Sequence, residues 1–307
     1  MKRGTIRSAI VLAATALTVA AFAAPVSAAP RGAAVHNATS TATWTAESMR
    51  AAIPMDQLVG KRRVSVAEVA KGLPSVVLPM AFPNAGGAWT GGGKVVSTAG
   101  RVFFTFGGRK ASCSGDAVTS GNKSVVVTAG HCVKYQGSWH TDWVFVPAYD
   151  NGNAPYGQWA ARKTLTTPQW EASEDMNYDV GIGVVNQLDG KSLTDVVGSQ
   201  GIGFNQARNQ NMYAFGYPAA APYDGSKLIY CSGSTFTDFL LTRDHAMSCN
   251  MTGGSSGGPW FLSFNEGAGT GVQASVNSFG YTFLPNYMFG PYFGADVEKL
   301  YNTAQAA

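Results

Sequence analysis

SVVVTAGHC, residues 124–132, begins as a strand and ends in groups able to do chemistry. Its valines and Thr128 are β-branched and suit a pleated, half-buried surface. Gly130 breaks the run, and His131 then stands beside Cys132. A disulfide at position 132 pins the His131 backbone. That suits a general base, because proton transfer requires hydrogen-bond reach. The competing reading is a structural histidine, as for the more isolated His36, His140 and His245.

The same strand grammar extends outward. RVFFTF (101–106), DWVFVPAY (142–149), DVGIGVV (179–185), NMYAFGY (211–217), KLIYCSG (227–233), PWFLSF (259–264) and TGVQASVNSFGY (270–281) are β-branched or aromatic runs. Glycine, proline and asparagine interrupt them. ADVEKLYNTA at 295–304 is the exception, with Val297, Leu300 and Tyr301 at helical spacing, and reads as a short terminal helix. The chain has 37 glycines among 307 residues and only 13% charged residues, which excludes a helical bundle. An apolar fraction of 45% is ample for a core. About 210 residues of short strands from residue 95 onward fit an all-β barrel or sandwich.

The N-terminus reads differently. Basic residues, an apolar run from Ala9 to Ala24 and Val26-Ser27-Ala28 make a secretory signal peptide over 1–28. The run is short for a membrane anchor. Residues 29–90 carry no cysteine, a basic cluster Lys61-Arg62-Arg63 and a helix-like patch AEVAKGL at 67–73, ending in the glycine-rich AGGAWTGGGK at 85–94. This is a propeptide or an N-terminal extension. Without Lys2, Arg3 and Arg7 the charge balance is 19 minus 18, so no broad field favours nucleic acid or a membrane surface. Cys113, Cys132, Cys231 and Cys249 form no CxxC motif, which argues for two disulfides in an oxidising compartment over a zinc site. Three pairings are open; the sequential one closes loops of 19 and 18 positions.

Two further positions complete a chemical set. Ser256 lies in TGGSSGGPW, residues 252–260, between glycine pairs that let backbone approach a bound carbonyl. The amides of Gly254 and Ser256 then converge as an oxyanion hole. A serine hydroxyl needs a base to become a nucleophile. Asp179 opens DVGIGVV and is the preferred partner for the imidazole N–H over Glu174 and Asp175, which lie in a more acidic loop. The order is His131, Asp179, Ser256, at separations of 48 and 77 residues.

TAGHC (128–132), DVGIGVV (179–185) and GSSGGP (254–259), in this order, resemble the chymotrypsin-like serine peptidases over roughly residues 95–295. The secreted bacterial trypsin-like and glutamyl-endopeptidase-like members are most similar. The resemblance implies two packed antiparallel six-stranded β-barrels with a short C-terminal helix. The barrels would occupy 91–307, divided near 190–210, with the site in the cleft between them. It implies His131 as general base, Asp179 as its orienting carboxylate and Ser256 as nucleophile, with Gly254 and Ser256 amides binding the oxyanion. It also implies a Cys113–Cys132 bridge bracing the histidine loop. Asn250, Ser275, Val276, Asn277 and Ser278 are the implied substrate-binding positions, the last four on the wall strand of the specificity pocket.

This sequence departs from trypsin at several positions. Ser255 precedes the nucleophile where trypsin has an aspartate, so it carries no charge to pair with a newly cut N-terminus. Shielding by residues 29–90 is then the more natural route to latency. Asn250 stands where trypsin has an acid, which removes the basis for strict Arg or Lys preference. Thr252 takes the place of the family's usual cysteine, and no histidine of the glutamyl-specific kind occurs in 270–281.

These residues imply a secreted, extracellular serine endopeptidase working through an acyl-enzyme, monomeric, with protein or peptide substrates. It needs no cofactor and no metal, and associates with neither nucleic acid nor, stably, a membrane. The alternative is a non-catalytic binding or adhesion protein on a protease-like scaffold. An α/β-hydrolase esterase is disfavoured because its histidine comes last in the chain.

Overall fold

Four of the β-branched and aromatic runs close into a barrel with two further strands in the computed structural model, which describes residues 32–38, 43–58 and 84–307. The expected leader, the basic cluster at 61–63 and the patch at 67–73 lie outside the described residues. Around the barrel, Trp159–Thr166 pairs with Gly181–Val185, then Val125–Thr128, Arg109–Ala117, Ala99–Phe106 and Thr141–Pro147. Trp159 and Ala160 pair with Phe145 and Val144 and close the ring. All six contacts are antiparallel. Its interior is filled by Val102, Phe104, Val125, Trp143, Phe145 and Ile182, each essentially inaccessible. Burial of side chains of this size contributes about 1.5–3 kcal/mol each.

The second half does not form the expected second six-stranded barrel. Gly201–Ile202, Thr270–Val276, Pro259–Asn265, Asn211–Gly216, Ile229–Ser234 and Asn84–Ala88 make an open six-stranded sheet. Its two edge strands do not pair with each other. The outer edge of Ile229–Ser234 is taken by Asn84–Ala88, and that occupancy leaves no free edge there for closure. Phe236–Thr237, His245–Ser248 and Tyr287–Gly290 instead form a separate three-stranded sheet. The Cys231–Cys249 disulfide ties the open sheet to the residue just past His245–Ser248, where no ladder joins the two sheets. The expected two-barrel architecture is therefore corrected to one closed barrel plus additional sheets.

The short C-terminal helix is present as Ala295–Gln305. It lays Val297, Leu300 and Ala304 on the barrel's core cluster. Residues before 91 are woven into the fold as well. Ala34–Asn37 adds antiparallel to Trp159–Thr166, and Ile53–Pro54 adds parallel to Arg109–Ala117.

Candidate active site

The strand Val125–Thr128 delivers its chain into a single 3-10 turn, Gly130–Cys132. Three ring nitrogens then hold two carbonyls of that turn and one just beyond it. His140 Nε2 meets the carbonyl of His131 at 2.9 Å, Trp143 Nε1 donates to Cys132 at 3.1 Å, and Trp170 Nε1 donates to Lys134 at 2.8 Å. The Cys113–Cys132 disulfide ties the same turn to the neighbouring strand. Buried carbonyls left unpaired are costly, so this scaffold strongly defines where His131 sits.

Asp179 follows the 3-10 turn Met176–Tyr178, which Asp175 caps by accepting from the Asn177 amide. Both its oxygens are engaged. Oδ1 accepts from the His131 amide at 2.8 Å and Oδ2 lies 2.7 Å from His131 Nδ1. Ser278 Oγ also donates to Oδ2, at 2.6 Å. Burial pushes this carboxyl up, but the His131 imidazole and the hydrogen bonds from His131 and Ser278 outweigh it, so the group titrates below its ordinary value of 3.8. It therefore stays ionised at neutral pH and holds the imidazole proton on Nδ1.

His140 is buried against Phe104, ring on ring at 4.3 Å, and burial lowers its pKa to about 3. Neutral, with a proton on Nε2, it can donate to the His131 carbonyl.

The serine loop is shaped by its glycines. Gly254 and Gly257 have φ of +97° and +83°. A Cβ on Gly257 would fall 2.1 Å from Thr128 Oγ1, so the loop docks directly on the His131-bearing strand. Ser114 makes the same connection. Its amide donates to the Ser256 carbonyl at 2.7 Å and its hydroxyl to the Gly254 carbonyl at 2.9 Å. Asn277 Nδ2 bonds the Ser255 carbonyl at 3.0 Å and the Phe215 carbonyl at 2.8 Å. The Ser255 hydroxyl donates within the loop to the Thr252 carbonyl at 2.8 Å.

Ser256 Oγ lies 3.0 and 3.2 Å from the two carboxylate oxygens of Asp56 and donates to that group. The Gly254 amide donates to the same carboxylate at 3.0 Å. Asp56 Oδ1 is in turn 3.9 Å from His131 Nε2. The structure thus joins His131 to Asp179 and joins Ser256 and Gly254 to Asp56, whose carboxylate lies beside His131 Nε2. Asp56 carried no signal in the sequence, where it is one acid in an otherwise uninformative extension.

The pocket positions are placed as follows. Asn250 donates its amide to the Ala85 carbonyl at 2.8 Å and its Oδ1 accepts from Tyr223 at 2.6 Å. Ser275 is buried and donates to the Pro291 carbonyl at 2.9 Å, while Val276 lies in the barrel's core cluster. Asn277 holds the serine loop, and Ser278 reaches Asp179. Among the described residues, the grouped metal donors are Cys113, His131 and Cys132, but those two sulfurs are bonded to each other and offer no thiolate.

No family model matches the chain. Over 82 residues it is 33% identical to the extracellular metalloprotease of Bacillus subtilis, a match covering 26% of this chain and 25% of that protein. The chain thus spans about a quarter of the length of that curated relative. Solved structures match much more of it. The protease Anisep from Arthrobacter nicotinovorans is 46% identical, with a TM-score of 0.66, over 70% of this chain and 98% of that one. A thermostable serine protease from an extremophilic microorganism is 42% identical, also at 0.66, over 70% and 99%. A Glu endopeptidase shares the fold at 17% identity and a TM-score of 0.57, over 72% and 97%. With such identity across nearly the full length of two solved proteases, the chain belongs to the chymotrypsin-like (trypsin-like) serine proteases.

Proposed function

We propose that the protein is a secreted serine endopeptidase that acts outside the cell on protein or peptide substrates. Residues 1–28 are its signal peptide, 29–90 its propeptide or an N-terminal extension, and 91–307 its peptidase domain. The observation that carries the reading is the convergence of four groups. A buried Asp179 orients His131, while Ser256 Oγ and the Gly254 amide share one anion within 4 Å of His131 Nε2.

In the reaction, His131 takes the Ser256 proton as Oγ attacks the peptide carbonyl. Asp179 keeps Nδ1 protonated and stabilises the imidazolium that forms. The Gly254 and Ser256 amides bind the developing oxyanion. His131 then protonates the leaving amine, and water activated by His131 releases the acid product. Uncharged Asn250 at the pocket base gives no electrostatic preference for Arg or Lys at the scissile bond.

An aryl phosphonate probe tests this reading. Processed protein is expected to carry one adduct, on Ser256, and none in His131→Ala. An adduct on another residue, or none on folded processed protein, overturns it.

A further inference from the structure

The extension before residue 91 crosses directly over the reactive groups. Ile53 and Pro54 pair with Ala111 and Ser112, next to the disulfide-bonded Cys113. Met55 is fully buried in the same core cluster as Cys113 and Cys132. These contacts anchor the backbone just before the next side chain, and Leu58 packs on the same cluster just after it. Asp56 Cβ and Pro54 Cβ would lie 3.3 and 3.5 Å from a Cβ on Gly253, so the segment rests on the serine loop itself.

The Asp56 carboxylate sits against the reactive hydroxyl and one of the two amides expected to bind a substrate's oxyanion. It accepts the Gly254 amide at 3.0 Å and the Ser256 hydroxyl at 3.0 Å, and lies 3.9 Å from His131 Nε2. We propose that Asp56 is a built-in competitive inhibitor, a side-chain carboxylate bound in the oxyanion pocket that withholds the Ser256 proton from His131 until residues 53–58 are displaced. This rests on the peptidase reading above.

The chemistry fits inhibition and not turnover. A carboxylate carries the negative charge that the pocket's N–H donors are arranged to receive. It also accepts the one proton that Ser256 has to give. Attack on it would have to expel oxide from an already anionic, resonance-stabilised carboxylate, so Ser256 gains no electrophile. The group in the pocket is a side chain, so no peptide bond of the segment is presented there for cleavage. Tethering through Met55 and the Ile53–Pro54 pairing supplies the effective concentration that a free carboxylate lacks.

The test uses the full chain, as wild type, Asp56→Ala and the near-isosteric Asp56→Asn. Each is given a short pulse of an aryl phosphonate and read by intact mass, and only molecules still carrying residues 53–58 are counted. Asp56→Ala is expected to label Ser256 roughly 10- to 100-fold faster than wild type, the range of one charge-assisted hydrogen bond. Asp56→Asn, which keeps the shape and loses the charge, is expected in between. Wild-type protein freed of the segment is expected to match Asp56→Ala. Equal rates for intact wild type and both variants, with segment-free protein labelling normally, overturn the inhibitor proposal alone. No labelling in any form overturns the peptidase reading and this proposal with it.

Discussion

Replacing His140 by leucine should flatten the acid limb of the protein's stability profile. His140 is buried against Phe104, and burial lowers its pKa from 6.5 to about 3. Between those values the unfolded chain binds a proton that the folded chain refuses, so stability rises with pH through the window and is lost as pH falls. The full linkage slope is about 1.4 kcal/mol per pH unit, so between pH 7 and pH 4.5 this one residue contributes on the order of 2–3 kcal/mol. The leucine variant removes the titration while keeping an apolar side chain against Phe104. It also leaves the His131 carbonyl without its ring donor, which lowers stability by about 1–3 kcal/mol, largely independent of pH. The assay is urea unfolding of disulfide-intact protein from pH 4.5 to 8, with the wild-type-minus-variant difference plotted against pH. His245, lowered to about 4 by burial, bends both curves alike and cancels in the difference. A difference that stays flat from pH 7 to 4.5 would show that His140 titrates alike in the folded and unfolded chain.

Further outcomes follow from the site. Ser278→Ala removes the 2.6 Å hydrogen bond to Asp179, and in segment-free protein kcat/KM should fall roughly 10- to 100-fold. An unchanged value would show that the bond does not matter in the transition state. Gly257→Ala puts a Cβ 2.1 Å from Thr128 Oγ1 at a φ of +83°, so thermal unfolding should shift down by several degrees. A wild-type Tm would contradict the docking of the serine loop on the His131 strand. Asp244 is buried, and burial together with Asp179 and Asp238 raises its pKa well above 3.8. A carboxyl raised on folding destabilises as pH rises, so Asp244→Asn should be more stable than wild type at pH 8 and gain less at pH 4. Equal gains at both would refute the assignment.

The strands rich in valine and aromatics were legible because their residue types suit only buried pleated surface. Two barrel strands were not. Arg109–Ala117 reads RKASCSGDA, small and polar, yet it is mostly buried because Ser112 and Ser114 are hydrogen-bond junctions. Ser112 accepts from the buried Arg101 guanidinium, and Ser114 binds the serine loop. Trp159–Thr166 mixes charged and apolar residues because its edge beyond the barrel is covered by Ala34–Asn37. The second-barrel expectation failed over Asn84–Ala88, a glycine-containing stretch that reads as a linker and becomes a strand only because Ile229–Ser234 offers it an edge. In the site, the stretches carrying His131, Asp179, Gly254 and Ser256 stood out because glycines and polar residues break the strand pattern there, and the structure brings His131 against Asp179. Asp56 was not, since an acid becomes a ligand only through the tertiary path of the segment that carries it.

In the proposed reaction, Ser256 becomes covalently acylated with His131 as its base. Segment-free protein turning over an activated ester, quenched in acid and mapped by peptide mass, is expected to show one acyl group on the peptide containing Ser256. That group should be absent in His131→Ala. Turnover that proceeds with no acyl adduct, or with the adduct on another residue, would contradict the account.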